Sequence, residues 1–227
     1  IAADRIDQSD LSKQWLKKIW DRYPQNQLAD DAIRQSLEID VRAKDTASAL
    51  RLIDTFCVAY KDSPLMPEVL ELEGRIHYSA EEYQTAINVF RDLLDNYSGN
   101  PARDSNWHYL KALAHIGIEE FENSDAELKK IALTGIQQDL FPKYQIASAT
   151  TLYGLGKYAE AIPHYREYLA IEKTGVEPNR AMAELSICLV ENGQWEEAKV
   201  LVAELQKQTS SETVFETTLV FVAEKSY

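Results

Sequence analysis

Cysteine is nearly absent from this sequence, and no long apolar run occurs in it. Two thiols, Cys57 and Cys188, in 227 residues are too few to staple a disulfide scaffold. Neither stands in a CxxC pair that would mark zinc or redox work. No apolar stretch approaches the roughly 18 residues needed to cross a bilayer, so no transmembrane helix is expected. Positive charge is also scarce: 24 Lys and Arg face 37 Asp and Glu, a net charge of −13. That balance repels phosphate backbones and anionic headgroups, which disfavours nucleic-acid and membrane-surface partners. Catalytic patterns are missing too. There is no Ser/His/Asp order and no HExxH, and runs such as Glu119-Glu120 and Glu196-Glu197 read as solvated helix faces. GLGK at Gly154–Lys157 lacks the spacing, the following Ser/Thr and the preceding strand of a phosphate loop, so its glycines serve a turn. A non-enzyme without cofactor or metal is expected.

What is present is a folded chain with a period. The apolar fraction of 45% and the mean hydropathy of −0.37 are those of a water-facing globular protein. In Thr151–Leu169, TLYGLGKYAEAIPHYREYL, a helix end, a Gly-led turn and a second helix follow one another. Tyr158, Ala161, Tyr165 and Tyr168 share one face of that second helix. A hairpin so short cannot bury that face alone, and copies of it fill the chain.

Aligned on the small residue after the turn, the copies carry Ala49, Ala86, Ser124, Ala161 and Ala198, at intervals of 37, 38, 37 and 37. Four residues later stand Ile53, Phe90, Leu128, Tyr165 and Val202, and three further on Phe56, Leu93, Ile131, Tyr168 and Leu205. Three before the small residue come Thr46, Tyr83, Phe121, Tyr158 and Trp195. Twelve before it are Leu37, Gly74, Ala112, Ala149 and Ser186. Small residues suit helices that cross closely, and large ones fill the gaps between hairpins. The first copy is the weakest, since its turn, Ala43–Ser48, lacks both Gly and an aromatic.

Punctuation agrees with the register. Pro24, Pro64, Pro67, Pro101, Pro142 and Pro178 fall in inter-hairpin loops or first turns, where a missing N–H costs little. Gly99, Gly135 and Gly175 lie just past second helices, where a left-handed cap is expected. Only Pro163 falls inside a predicted helix, near enough its start to bend it without a break. The predicted boundaries are a half-repeat at 8–24, repeats at about 28–64, 65–101, 102–139, 140–177 and 178–211, and a closing helix at 212–227. In the half-repeat, Ser12, Leu16 and Ile19 take the second-helix positions. TVFETTLVFV in the closing segment is β-branched enough to pass for a strand, but the register, with Leu219 and Ala223 on the first-helix pattern, favours a helix.

The motifs A-x₂-L…G-x-Y-x₂-A-x₃-Y at Ala149–Tyr165 and G-x₂-H…Y-x₂-A-x₃-F at Gly74–Phe90 resemble the tetratricopeptide repeat, a helix–turn–helix of about 34 residues. The resemblance implies an all-α, right-handed α-solenoid of about five hairpins with half-hairpins at both ends, forming one domain. The period here is about three residues longer. The loops RYPQNQLADDA, AYKDSPLMPEV and NYSGNPARDS resemble those of bacterial cell-envelope repeat proteins, which implies a periplasmic or envelope location over a cytoplasmic one. The chain opens IAADRIDQSD, without an initiator Met or a signal-like core, and so reads as a piece of a longer product.

In such an architecture first helices line a concave groove. Its lining here is Arg34, Glu38, Arg42, Glu71, Arg75 and Tyr78, charged, followed by Tyr109, Leu113, Ile116, Ile146, Tyr153 and Ile187, apolar. That row fits an extended peptide or helix of a partner protein. Alternatively, tight curvature or the closing helix buries these side chains. The carboxylate clamp of chaperone-binding repeats is absent, because Arg34, Glu38, Glu71, Arg75, Leu113 and Thr150 occupy its places. A second reading is self-assembly into dimers or filaments through the apolar segment 212–227. His77 and His115 share one repeat position, either as a metal or pH-sensing pair or as two hydrogen-bonded core histidines. His108 and His164 have no partner that spacing identifies. The two cysteines, far apart in a stack of hairpins, are expected to be free thiols.

Overall fold

The computed structural model describes residues 2–26, 28–134 and 136–208, and every regular element among them is an α-helix. The segment 212–227, expected as a closing helix, lies outside the described residues. The helices are α1 (Ala2–Arg22), α2 (Ala29–Ala43), α3 (Thr46–Ala59), α4 (Met66–Ser79), α5 (Tyr83–Tyr97), α6 (Pro101–Gly117), α7 (Phe121–Leu128), α8 (Leu140–Gly154), α9 (Tyr158–Ile171), α10 (Val176–Glu191) and α11 (Trp195–Gln208). The pairs α2–α3, α4–α5, α6–α7, α8–α9 and α10–α11 are the five hairpins of the sequence register. The half-repeat is longer than its pattern: α1 is continuous from Ala2, with no turn ahead of Leu11.

The chain packs as two compact units, residues 1–98 and 99–227. In the first, α1 to α5 each pack on the next helix in sequence. In the second, α6 to α11 do the same, and α8 also touches α6 and α10, so first helices lie side by side. Contacts confined to near neighbours are the mark of a repeat array, in which each hairpin buries the next one's apolar face.

The register residues form the core. Ala49, Ala86, Ser124, Ala161 and Ala198 are all fully buried, as are Phe56, Phe90, Leu93 and Tyr165. Smallness is a steric requirement here. A Cβ built on Gly74 would lie 2.6 Å from Cζ of Phe90, and one on Gly154 would lie 2.5 Å from the Phe121 ring.

The hairpin turns share one backbone device. Lys44, Glu81, Glu119, Gly156 and Gly193 have φ of 59°, 60°, 59°, 69° and 75°. Each is followed by a residue (Asp45, Glu82, Glu120, Lys157 and Gln194) whose N–H reaches back five residues to a carbonyl of the first helix. The left-handed residue donates to the carbonyl three before it. The two bonds make a Schellman closure at all five turns. The carbonyl of that following residue then accepts from the small register residue four later, opening the second helix. One residue thus ends one helix and starts the next.

This corrects the expected place of the left-handed caps. Gly99 and Gly175, at φ of 129° and 126°, lie in the inter-hairpin loops, Gly175 as the residue before α10. They are not second-helix caps, and Gly135 lies outside the described residues. The αL cap sits in the turn instead, where the interhelical closure needs it. Pro163 leaves α9 unbroken over its 14 residues. Pro67 and Pro101 stand in the first turns of α4 and α6, the latter capped by the Asn100 side chain, which accepts from the N–H groups of Ala102 and Arg103.

Candidate partner-binding surface

In the first unit, the predicted row is a ladder of ion pairs within helices. Arg34 on α2 donates to Asp31 at 2.8 Å and to Glu38 at 2.5 Å, and stands 3.8 Å from Glu68 on α4. The hydrogen bond to Asp31 holds the guanidinium more firmly protonated, against the opposing effect of its partial burial, with help from the Glu38 charge. Glu38 also accepts from Arg42 at 3.1 Å, and on α4 Arg75 donates to Glu71 at 2.8 Å. Tyr78 is half-buried and packs edge-on against Tyr83, with ring centroids 5.5 Å apart. Pairs spaced three or four apart on a helix contribute a few tenths of a kcal/mol each, so this row is a self-neutralised polar face.

The second unit carries a different row. Tyr109, Leu113 and Ile116 on α6 are half-buried at spacings of four and three, packed against a core of Ala112, Leu128, Ile131 and Ala147. On α8, Ile146 is buried and Tyr153 is half-buried, with the Tyr153 ring 5.8 Å from that of Tyr158. Burial, and after it the nearby Glu184 carboxylate, raise the Tyr153 phenol above its ordinary value. Ile187 on α10 is half-buried. Because α8 touches both α6 and α10, these side chains form adjacent rows. Tyr109 and Ile146 also line an open cleft of about 1030 Å³.

The two histidines that share a repeat position are hydrogen-bonded, His115 buried and His77 half-buried. His77 Nδ1 lies 2.5 Å from Glu82, and His115 Nδ1 lies 2.8 Å from Glu120, so each is held by the carboxylate of its own turn. Hydrogen bonds from Asn123 first and His115 second hold the Glu120 carboxyl below its usual range. His108 and His164 do have partners. His108 Nδ1 is 2.7 Å from Glu127, and His164 Nδ1 is 2.6 Å from the Gln145 side-chain oxygen. Both are nineteen-residue pairs across one hairpin, joining the place sixteen before the small residue to the place three after it. Elsewhere those two places hold Ile33 and Leu52, Leu70 and Val89, and Met182 and Leu201.

Glu127 is the most constrained of these groups. It is 6% exposed and accepts from His108, from Lys111 at 3.0 Å and from Lys130 at 3.0 Å. Burial alone would raise its pKa, yet the bonds from His108, Lys130 and Lys111 outweigh that and bring it to about 2. In the fourth hairpin the fully buried Tyr165 donates its hydroxyl to Glu184 at 2.6 Å. Burial raises the Glu184 carboxyl, and it pushes the Cys188 thiol up to about 12 with the Glu184 charge assisting. Both cysteines are free, with the Cys57 sulfur 3.8 Å from that of Met66. Among the described residues, no group of three or more His, Cys, Asp or Glu is placed to hold a metal ion, and no helix is long and apolar enough to cross a membrane.

Two models of the tetratricopeptide repeat match this chain, one over residues 39–101 and one over residues 152–213, together more than half of it. No curated protein matches. Solved structures do. A tetratricopeptide repeat protein from Parabacteroides merdae ATCC 43184 is 15% identical with a TM-score of 0.67, over 99% of this chain and 84% of that one. BtubC (BKLC) from P. vanneervenii is 12% identical with a TM-score of 0.71, over 91% of both chains. A thermophilic TPR protein from Thermus thermophilus is 15% identical with a TM-score of 0.54, over 85% of this chain and 98% of that one. At such identities the likeness is one of fold.

Proposed function

The chain belongs to the tetratricopeptide repeat family, whose all-α solenoids serve as protein-interaction scaffolds, and from that premise we propose that it holds a peptide or helix of a partner protein along its first helices. One observation supports this reading above the others. Tyr109, Leu113, Ile116, Tyr153 and Ile187 stand half-open to solvent on the adjacent helices α6, α8 and α10. The first-unit row, by contrast, spends its charges on itself. A contiguous apolar row rimmed by polar residues is what an amphipathic partner needs. The test takes the peptides that a displayed random library enriches on the whole chain. Leu113→Lys with Ile187→Lys should abolish the binding of at least one of them while leaving the helical circular-dichroism signal intact. Undiminished binding of every enriched peptide to that variant refutes the groove.

The second reading, self-assembly, is favoured by α1. Leu11 and Trp15, one turn apart, are 55% and 59% exposed. Light scattering at rising concentration decides it: a dimer lost in Trp15→Glu supports it, and a monomer throughout refutes it. For the compartment, we propose the bacterial envelope on the loop resemblance. A signal sequence or lipid-attachment Cys encoded upstream of Ile1 would support that, and a plain Met start would refute it.

A further inference from the structure

The second unit contains one hairpin that departs from its fellows. Second helices α3, α5, α9 and α11 run for 14 or 15 residues, whereas α7 has 8. The stretch that elsewhere completes two more turns is here irregular chain over the described residues 129–134 and 136–139. It supplies Ile136, Gln138 and Asp139 to one wall of the cleft of about 1030 Å³. A repeat array gains packing by completing its helices, so a shortened one that leaves an open apolar cleft is a place where folding economy has yielded.

The cleft has two chemical halves. Its floor is apolar, with Ile136, Phe141, Pro142 and Ile146, and Ile171 at the end of α9 stands 49% exposed beside it. Its rim is acidic: Asp139, Glu172 and Glu177 line it against a single cation, Lys143, which is 3.6 Å from Asp139. Arg180 is divided between Glu177 and Glu184, and Glu172 carries no ion pair among the described residues. The Tyr168 phenol between the two halves is raised by burial, then by the Glu177 and Glu172 charges, against the opposing pull of Arg180. Its field is therefore negative at the mouth, in a chain of net charge −13. Phosphate groups and a second copy of this acidic chain are both repelled there.

We infer that this cleft docks a cationic apolar segment of a partner protein, with an aliphatic or aromatic side chain seated against Ile136, Phe141 and Ile146 and a neighbouring Lys or Arg on Glu172 and Glu177. The inference rests on the chain being an interaction scaffold; the cleft shares Tyr109 and Ile146 with the apolar row but is lined by neither Leu113 nor Ile187. Apolar burial supplies the affinity, and the acidic rim selects the sign of the flanking charge.

The experiment is panning of a displayed random 12-residue library against the full chain, followed by titration calorimetry with the most enriched peptide made synthetically. The expected peptide places Lys or Arg beside a large apolar residue. Glu172→Gln with Glu177→Gln, both exposed positions, should weaken it about tenfold and flatten its salt dependence. Ile171→Ser should weaken it further, and Leu113→Lys with Ile187→Lys should leave it unchanged. A peptide lost only in the Leu113/Ile187 variant overturns the cleft and leaves the groove standing. Acidic peptides, or peptides indifferent to Glu172 and Glu177, overturn the cleft as well. Failure to enrich any peptide overturns both readings.

Discussion

Glu127→Gln removes a charge but keeps a shape, which isolates what the carboxylate does for the third hairpin. With its pKa brought from 4.5 to about 2 in the fold, ionised Glu127 is favoured by 2.5 pKa steps over the unfolded chain. At 1.36 kcal/mol per step, that is about 3 kcal/mol of stability at neutral pH. A group whose pKa is depressed by folding contributes fully above its unfolded value and loses that contribution as pH falls through the folded one. The wild type should therefore shed this stability between about pH 4.5 and pH 2, and the Gln variant should not. Urea unfolding followed by circular dichroism, repeated down this range on both proteins, reads the difference. Hydrogen exchange of the α6 and α7 amides locates it, since His108, Lys111 and Glu127 lie on those two helices. The gap should be about 3 kcal/mol at pH 7 and close toward zero near pH 2. A gap that stays constant over that range, or is absent at pH 7, would refute the account of Glu127 as a carboxylate held ionised by three donors.

Other changes test the packing and the turns. Gly74→Ala pushes a methyl into the fully buried Phe90 ring and should cost about 1–3 kcal/mol by denaturant unfolding; a neutral result would mean the helices part freely. Glu81→Gly and Glu119→Gly relieve left-handed side chains and should each raise stability by about 0.5–1 kcal/mol, while Gly156→Ala loses a similar amount. Tyr165→Phe removes the donor that Glu184 relies on in its buried site and should cost about 1–2 kcal/mol at pH 7. Because burial already raises the Glu184 carboxyl, that deficit should shrink as pH falls through its folded value; a deficit that grows on acidification refutes the assignment.

The hairpins were legible because a close helix crossing tolerates only small side chains, and Ala49, Ala86, Ser124, Ala161 and Ala198 repeat that constraint in the open. The turn was half legible. Gly156 and Gly193 announce a left-handed residue, but Lys44, Glu81 and Glu119 adopt it without a glycine, as the closing bonds compensate for the strain. The early end of α7 was hidden. Ile131 keeps its place in the register and is 5% exposed, so the apolar pattern carries on where the helix stops. The row at Tyr109, Leu113 and Ile116 could be placed on a face by spacing, whereas its degree of exposure depends on how neighbouring helices lean, which no period encodes. The partners of His108 and His164 were within reach. Comparing the places sixteen before and three after the small residue shows two polar pairs among apolar ones.

Those two polar pairs give the array something that apolar packing lacks. Helices built on one register are nearly interchangeable surfaces, and a second helix can seat against the wrong first helix while the chain folds. With α7 seated against any first helix but α6, the buried Glu127 would lose His108 and Lys111 and keep only Lys130 of its three donors. His164 on Gln145 sets the same condition in the next hairpin. The pairs act as addresses, each telling one second helix which first helix is its own.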